Sequence, residues 1–347
     1  MIPAWPVVNL TDWVSNACAS LHWDGNSRIP VSVTLALRKK NASYLFSPRS
    51  AWFDYLAHEC RSQPAIVFLI NTLGKLSYFL GIDKTVFVGN YPISTSIWSA
   101  KQENEFLGIA SKMRQSHPNY YIGVRNLLPH RHPELISQLK LLGYCGIPSR
   151  VIYEFDLRAE NTPMPSHLKR DLALLKKFNL DVEISTKLDQ ASLVQIHGLY
   201  QKIYLEKHSL LNPQYTIKFF EDIVNQGVMS CLLIRNLEKE IISFALLSST
   251  DQTLSVPALG FNQLMGLEGS YRILFAAIYS YAKNKRALLN YSSGAGDFKR
   301  KRGGVACLEY TYLVSPLRGN WVQKYILKVL ANKGLAIKAE DLIRFGA

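Results

Sequence analysis

The sequence predicts a mixed α/β protein in two parts, residues 1–160 and 161–347. Three observations predict it. The chain has 347 residues, and at roughly 100–200 residues per domain this length suits two. The segment from Arg158 to Pro165 is polar and holds two prolines, which marks a linker. After it, helical and β-alternating stretches follow as helix, helix, strand, strand, strand, helix, strand, strand. A looser version of that order runs before it, so a structural duplication is expected, although no tandem sequence repeat is present.

Each element has a local reason. Residues 30–37 alternate and are rich in valine, as strands are. Ile66 to Leu80 is apolar with a helical or mixed period. Lys84 to Val88 is a short strand ended by Gly89-Asn90. Ser99 to Ser116 places Phe106, Leu107, Ile109, Ala110 and Met113 on one helical face, and His117-Pro118-Asn119 stops it. Tyr120 to Leu128 reads as a strand, Pro133 to Leu142 as a helix closed by Gly143, and Ser149 to Leu157 as a strand. In the second part, Ser166 caps a basic helix, Leu168 to Phe178. A strand covers Val182 to Ser185, and Asp189 caps a helix that runs to Lys207. A helix covers Thr216 to Asn225. Met229 to Arg235 and Ile241 to Ser248 form a hairpin around Asn236 to Lys239. Thr253 to Phe261 is a strand and Ser270 to Lys285 a long helix. Ala287 to Tyr291 and Glu309 to Val314 are strands, and a helical tail starts at Leu317.

Composition excludes several classes. Hydrophobic residues make up 48% and charged residues 19%, too apolar for a disordered chain. Five widely spaced cysteines, Cys18, Cys60, Cys145, Cys231 and Cys307, form neither a disulfide framework nor a zinc pattern. They read as reduced thiols, and a Cys/His hydrolase built on Cys145 or Cys307 has no supporting motif. The first residues lack the charged and apolar regions of a signal peptide, and no apolar run reaches the ~20 residues of a spanning helix. A cytoplasmic protein is expected. The net charge is +14, with 24 basic and 15 acidic residues after position 160 against 16 and 11 in residues 1–160. Such a surplus suits nucleic acid, an anionic membrane face or a phosphate-bearing small molecule.

The most informative stretch runs from Leu289 to Gly304. A strand leads into Ser292-Ser293-Gly294-Ala295-Gly296-Asp297-Phe298, then into Lys299-Arg300-Lys301-Arg302. Glycine and serine let backbone N–H groups converge on an anion, and lysine and arginine neutralise it. Neither a P-loop nor a dinucleotide fingerprint is matched; a solvated basic loop is the alternative. His130-Arg131-His132 with Glu134 has no standard zinc spacing and reads as a turn, so no metal is expected. Tyr271, Phe275 and Tyr279 recur at helical spacing, as core residues do.

Several pieces in order carry a family resemblance. They are Ser166-His167-Leu168-Lys169-Arg170-Asp171, the stretch from Leu199-Tyr200 to Phe219-Phe220, and the strand series from Gly227 to Gly260. Tyr271-Arg272-Ile273-Leu274 through Lys285 and the closing Gly296–Gly303 element with Lys299 complete the set. Residues 165–315 resemble the acyltransferases of the GNAT superfamily, in the branch with the Fem-type peptidyltransferases. Before residue 120 the likeness is weak. The resemblance implies two tandem GNAT-like domains, the second holding the active site near residues 255–300. It implies acyl transfer from acyl-CoA to an amine or hydroxyl, with acyl-CoA as co-substrate and no permanently bound cofactor. Transfer from aminoacyl-tRNA is one alternative; a non-catalytic module binding an anionic partner is another.

Gln263 and Gly266 keep half of the pyrophosphate-binding turn, while Glu268 stands where the motif has a small residue. With Tyr271, Arg272, Lys299, Arg300 and Arg302 they form the expected donor-binding set. Replacing Lys299 or Arg302 by alanine is then expected to weaken donor binding with little effect on stability. The strand 253–261 has no Glu or Asp to act as base, which leaves His208, Glu206 and Asp297 as candidate catalytic groups. Glu309 reads as structural. A backbone N–H on 253–261 is expected to polarise the donor carbonyl.

Overall fold

A computed structural model describes residues 5–26, 28–35, 41–95, 97–159, 164–178, 180–262 and 269–331. The first part opens with α1 (Leu10–Trp13), β1 (Ala19–Asp24) and β2 (Ile29–Thr34). After α2 (Tyr55–Glu59) come α3 (Pro64–Phe79), β3 (Thr85–Val88), α4 (Ala100–Ser116), β4 (Tyr121–Leu127), α5 (Pro133–Leu141) and β5 (Cys145–Asp156). The second part has α6 (Ser166–Lys177), β6 (Asp181–Ser185), α7 (Gln190–Tyr200), α8 (Ile217–Asn225), β7 (Ser230–Arg235), β8 (Ile241–Thr250), β9 (Thr253–Ser255) and β10 (Leu259–Phe261). It closes with α9 (Ser270–Asn284), β11 (Leu288–Asn290), α10 (Gly296–Arg300), β12 (Val305–Val314) and α11 (Trp321–Val329).

Local chemistry explains the boundaries. Ser99 and Gln102 form a reciprocal capping box at the start of α4, and Asn320 with Gln323 does the same for α11. The Asp189 carboxylate accepts the Ser192 N–H at 2.8 Å and starts α7. The expected mixed α/β class is the one observed: the strands form one mixed sheet in the order β1-β2-β3-β4-β12-β5-β11-β9-β8-β7-β6, with β10 paired to β8.

Both parts repeat one motif. An antiparallel pair leads through a helix to a parallel neighbour: β2–β3, then α4, then β4 beside β3. In the second part β8–β9 leads through α9 to β11 beside β9. The last strand of each part then crosses into the other. Tyr312–Val314 of β12 pair with Ile122–Val124 of β4, and Glu154–Asp156 of β5 pair with Leu288–Asn290 of β11. The two strands also pair with each other over most of their length. Apolar clusters follow this plan. One packs α4 and α5 on β3 and β4, and another packs α6 and α9 on β5, β8 and β11.

The sheet therefore runs unbroken across the two parts. Residues 1–160 expressed alone should lack a cooperative unfolding transition by circular dichroism, because β4 and β5 lose the strand between them. A cooperative melt of that fragment would show that β12 is dispensable to the first part.

Candidate active site

The site begins with a strand that changes partner. Residues 248–250 of β8 pair with β9, and residues 243–245 pair with β10. Pro257, which has no N–H to offer, lies in the break between β9 and β10. β11 stays beside β9 only as far as Asn290, whose carbonyl accepts the Val256 N–H at 3.1 Å. The next N–H, that of Tyr291, turns to the Tyr153 carbonyl at 2.9 Å. β10 and β11 therefore diverge. The sequence predicts one strand over 253–261; the break at 256–258 is what opens the gap.

The gap exposes a strand edge. The Ala258 carbonyl accepts from Leu246 and the Asn262 N–H donates to Ile242, so even-numbered residues face β8. Alternation turns the N–H groups of Leu259 and Phe261 toward the gap. The Leu259 N–H meets the Tyr204 hydroxyl there.

A cavity of about 450 Å³ covers the gap. Val256, Leu259 and Phe261 line one side and Tyr291 to Ala295 the other. The first part contributes Arg125 from β4 and Arg150 from β5. Two π-helical turns, Ser50–Asp54 and Gln201–His208, also border it. The second brings Tyr204, Lys207 and His208 to the rim. It can do so because Gly260 lets α7 lie against β10: a Cβ there would come within 2.9 Å of Leu199 backbone. π-Helical turns re-aim side chains in this way.

The charge of the cavity is one-sided. Among the described lining residues Arg125, Arg150, Lys207 and Lys299 carry positive charge and none carries a negative one. Arg125 donates to the Leu45 carbonyl at 2.8 Å and to Asn90 Oδ1 at 2.9 Å. Burial lowers its pKa to about 10, so it remains charged at neutral pH. The Arg150 Nε donates to Glu309 Oε2 at 2.5 Å, while its Nη2 is buried with no hydrogen-bond partner. An orphaned guanidinium nitrogen is costly unless a ligand meets it. Burial raises the pKa values of Tyr204, Tyr271 and Tyr291, so these phenols are neutral.

Of the two readings of the basic stretch, an anion-binding loop and a solvated one, the solvated one does not hold for Lys299 and Arg302. Gly296–Arg300 is a helical turn, α10, and two cations of the stretch, Lys299 and Arg302, are buried. Lys299 is 1% exposed. Its ammonium donates to the carbonyls of Tyr291, Ser292 and Ser293 at 2.8, 3.1 and 2.8 Å and lies over the rings of Tyr153 and Tyr291. Burial, and the nearby charge of Arg150, lower its pKa; the carbonyls and ring faces work the other way. Arg302 is buried and donates to Asp171 Oδ2 at 2.5 Å. Arg272 donates to the other oxygen of Asp171 at 2.7 Å. Arg300 donates to the Tyr153 hydroxyl and to Asp297. Lys299 therefore lines the cavity with its donors occupied, and Arg302 serves the packing of three helices.

The other candidates divide similarly. Tyr271 lines the cavity, whereas Gln263 and Gly266 lie outside the described residues. Of the candidate catalytic groups His208 is at the rim; burial and Lys207 lower its pKa. Glu206 is exposed and is not in the lining. Asp297 is exposed and held low by Lys301 and Arg300. The turn at His130 is exposed but tied down: His130 and Arg131 both reach Glu154, and Cys307 lies 3.7 Å from it.

No family model and no curated protein matches the sequence. Solved structures do match. The C-terminal domain of a protein assigned as a lysylphosphatidylglycerol synthetase from Agrobacterium fabrum aligns with 92% of this chain and 91% of its own, at 11% identity and a TM-score of 0.53. L-PGS from Bacillus licheniformis aligns over 94% and 93%, at 11% identity and a TM-score of 0.51. FemX aligns over 62% and 77%, at 13% identity and a TM-score of 0.47. The likeness is one of fold, shared over most of the chain with the first two of these structures.

Proposed function

We propose that this protein transfers an acyl group from a coenzyme A thioester to an amine on a molecule that also carries an anionic group. The observation that carries the proposal is the strand edge at the divergence of β10 and β11, where alternation turns the Phe261 N–H toward a cationic cavity beside the Leu259 N–H that meets Tyr204. An extended arm with amide groups suits such an edge. In the reaction the amine nitrogen attacks the thioester carbonyl. The oxyanion is held by a strand N–H, the C–S bond breaks, and the proton lost by the amine balances the thiolate released. Arg150, through its unpartnered Nη2, and Arg125 would hold the anionic group.

His208 is the base in this reading. Its lowered pKa makes it neutral at pH 7 and able to accept the proton. The rate should therefore fall as pH drops below the ordinary imidazole value of about 6.5. In His208→Gln that acid limb should vanish, and the rate should fall by roughly 10²–10⁴. An unaltered limb in the variant would remove His208 from the reaction. Thiol release from acyl-CoA, followed over pH with a series of amine acceptors, is the measurement.

One observation favours a second reading. Lys169, Arg170, Lys176 and Lys177 are exposed on α6, and Lys301 of the adjoining turn is exposed as well. Asp171 holds α6 to that turn. This is a surface for many phosphates rather than a few, and it suits aminoacyl-tRNA as the donor. The two structural relatives aligned over most of this chain are named for a lysylated phospholipid and as L-PGS, which is in keeping with aminoacyl transfer.

A further inference from the structure

The helix α3 is turned inside out for a soluble surface. Its buried side is narrow and small: Ile70, Gly74 and Ser77. The approach is close there: a Cβ on Gly74 would stand 3.2 Å from that of Phe53. Outward it presents Ile66, Phe68, Leu69, Leu73, Leu76 and Phe79, with Phe68 76% and Phe79 82% exposed. These fall on adjoining stripes at three- and four-residue spacing. Sixteen helical residues make an apolar ridge about 24 Å long. Such continuous exposure marks an interaction surface.

A second element extends the ridge. The Gln323 side chain of α11 donates to the Leu80 carbonyl, just past the end of α3, at 2.9 Å. Beside it α11 exposes Trp321 at 76% and Tyr325 at 60%, residue types that favour the headgroup level of a bilayer. Charge identifies the partner. Neither α3 nor α11 contains Asp or Glu. Lys75, Lys84, Lys324 and Lys328 stand exposed on or beside the two helices. A protein partner would need an apolar groove of matching length, while an anionic lipid surface meets both the ridge and its cations. No helix among the described residues is long and apolar enough to cross a membrane, so the contact is one of lying on the surface.

We propose that α3 and the start of α11 dock this protein on an anionic membrane surface, with α3 lying in the headgroup plane. The proposal does not depend on the reaction assigned above. It has a consequence for the cavity, because Ala51, Trp52 and Tyr55, in the segment leading to α3, line it. Docking would hold that wall beside the lipid.

Flotation with vesicles tests this. The full chain should float with vesicles of phosphatidylglycerol mixed with phosphatidylcholine and less with phosphatidylcholine alone. Phe68→Asp with Phe79→Asp should lower the bound fraction about tenfold or more, since affinity follows the apolar area inserted. Both side chains are exposed, so the melting temperature should stay unchanged, and light scattering should show a monomer before and after. Absence of flotation would overturn the proposal, as would flotation that the double variant retains. A dimer that the same substitutions dissociate would assign the ridge to a second copy instead.

Discussion

Replacing Asp171 by alanine should lower stability by about 3–5 kcal/mol, the cost of breaking a buried ion pair by removing one partner. Asp171 is fully buried on α6. Its two oxygens accept from Arg272 of α9 and from Arg302, just after α10. Arg302 also donates to the Phe298 carbonyl and lies 3.4 Å over that ring. One carboxylate thus ties three helices together, and its loss removes that counter-charge from two guanidinium groups. Thermal and urea unfolding would read the effect. Asp297→Ala, at an exposed carboxylate within the same turn, should leave the melt unchanged. Equal effects of the two substitutions would contradict the assignment.

Lys299→Met should be the second large effect, roughly 2–4 kcal/mol, because it removes a buried donor from three carbonyls while keeping most of the volume. The same change should loosen the segment 291–295 that forms one wall of the cavity. Hydrogen exchange should rise there and leave β7 and β8 unchanged, and ligand binding should weaken with it. A stable variant with normal exchange would contradict the role of Lys299 as the tie of that segment and leave it the donor-binding role that its sequence context suggests.

The 296–302 turn shows how far the sequence reaches. Helices with a clear apolar stripe and a cap, such as α4 and α8, were legible because both signals are local. So was the hairpin of β7 and β8, which has polar residues and Lys239 at φ +65° in its turn. β5 starts four residues before the expected Ser149, and β12 starts four before Glu309. Gly146 and Pro148 resemble a turn, and Gly303-Gly304 precedes β12, yet each strand is the other's partner across 150 residues. Composition marked the 296–302 turn as basic, but the carboxylate that draws Arg302 inward lies 131 residues earlier. Arg125 and Arg150 were not foreseen at all. The available signal was an arginine inside each of two apolar strands, and only the exchange of β5 and β12 brings them to the gap.

The central claim is that the donor's reacting end enters the gap between β10 and β11. Ser293 lines this gap and is exposed, so Ser293→Trp should fill the entrance without disturbing the core. The measurement is isothermal titration of the folded wild type and of Ser293→Trp with acetyl-CoA and with aminoacyl-tRNA, each at two salt concentrations. The account predicts saturable acetyl-CoA binding with a gentle salt dependence, weakened at least about tenfold by the tryptophan, the scale of a lost charge-assisted contact. Steep, salt-sensitive binding of tRNA with no heat from the thioester would transfer the site to the aminoacyl donor. Thioester binding that Ser293→Trp leaves untouched would contradict the placement of the reaction in the gap.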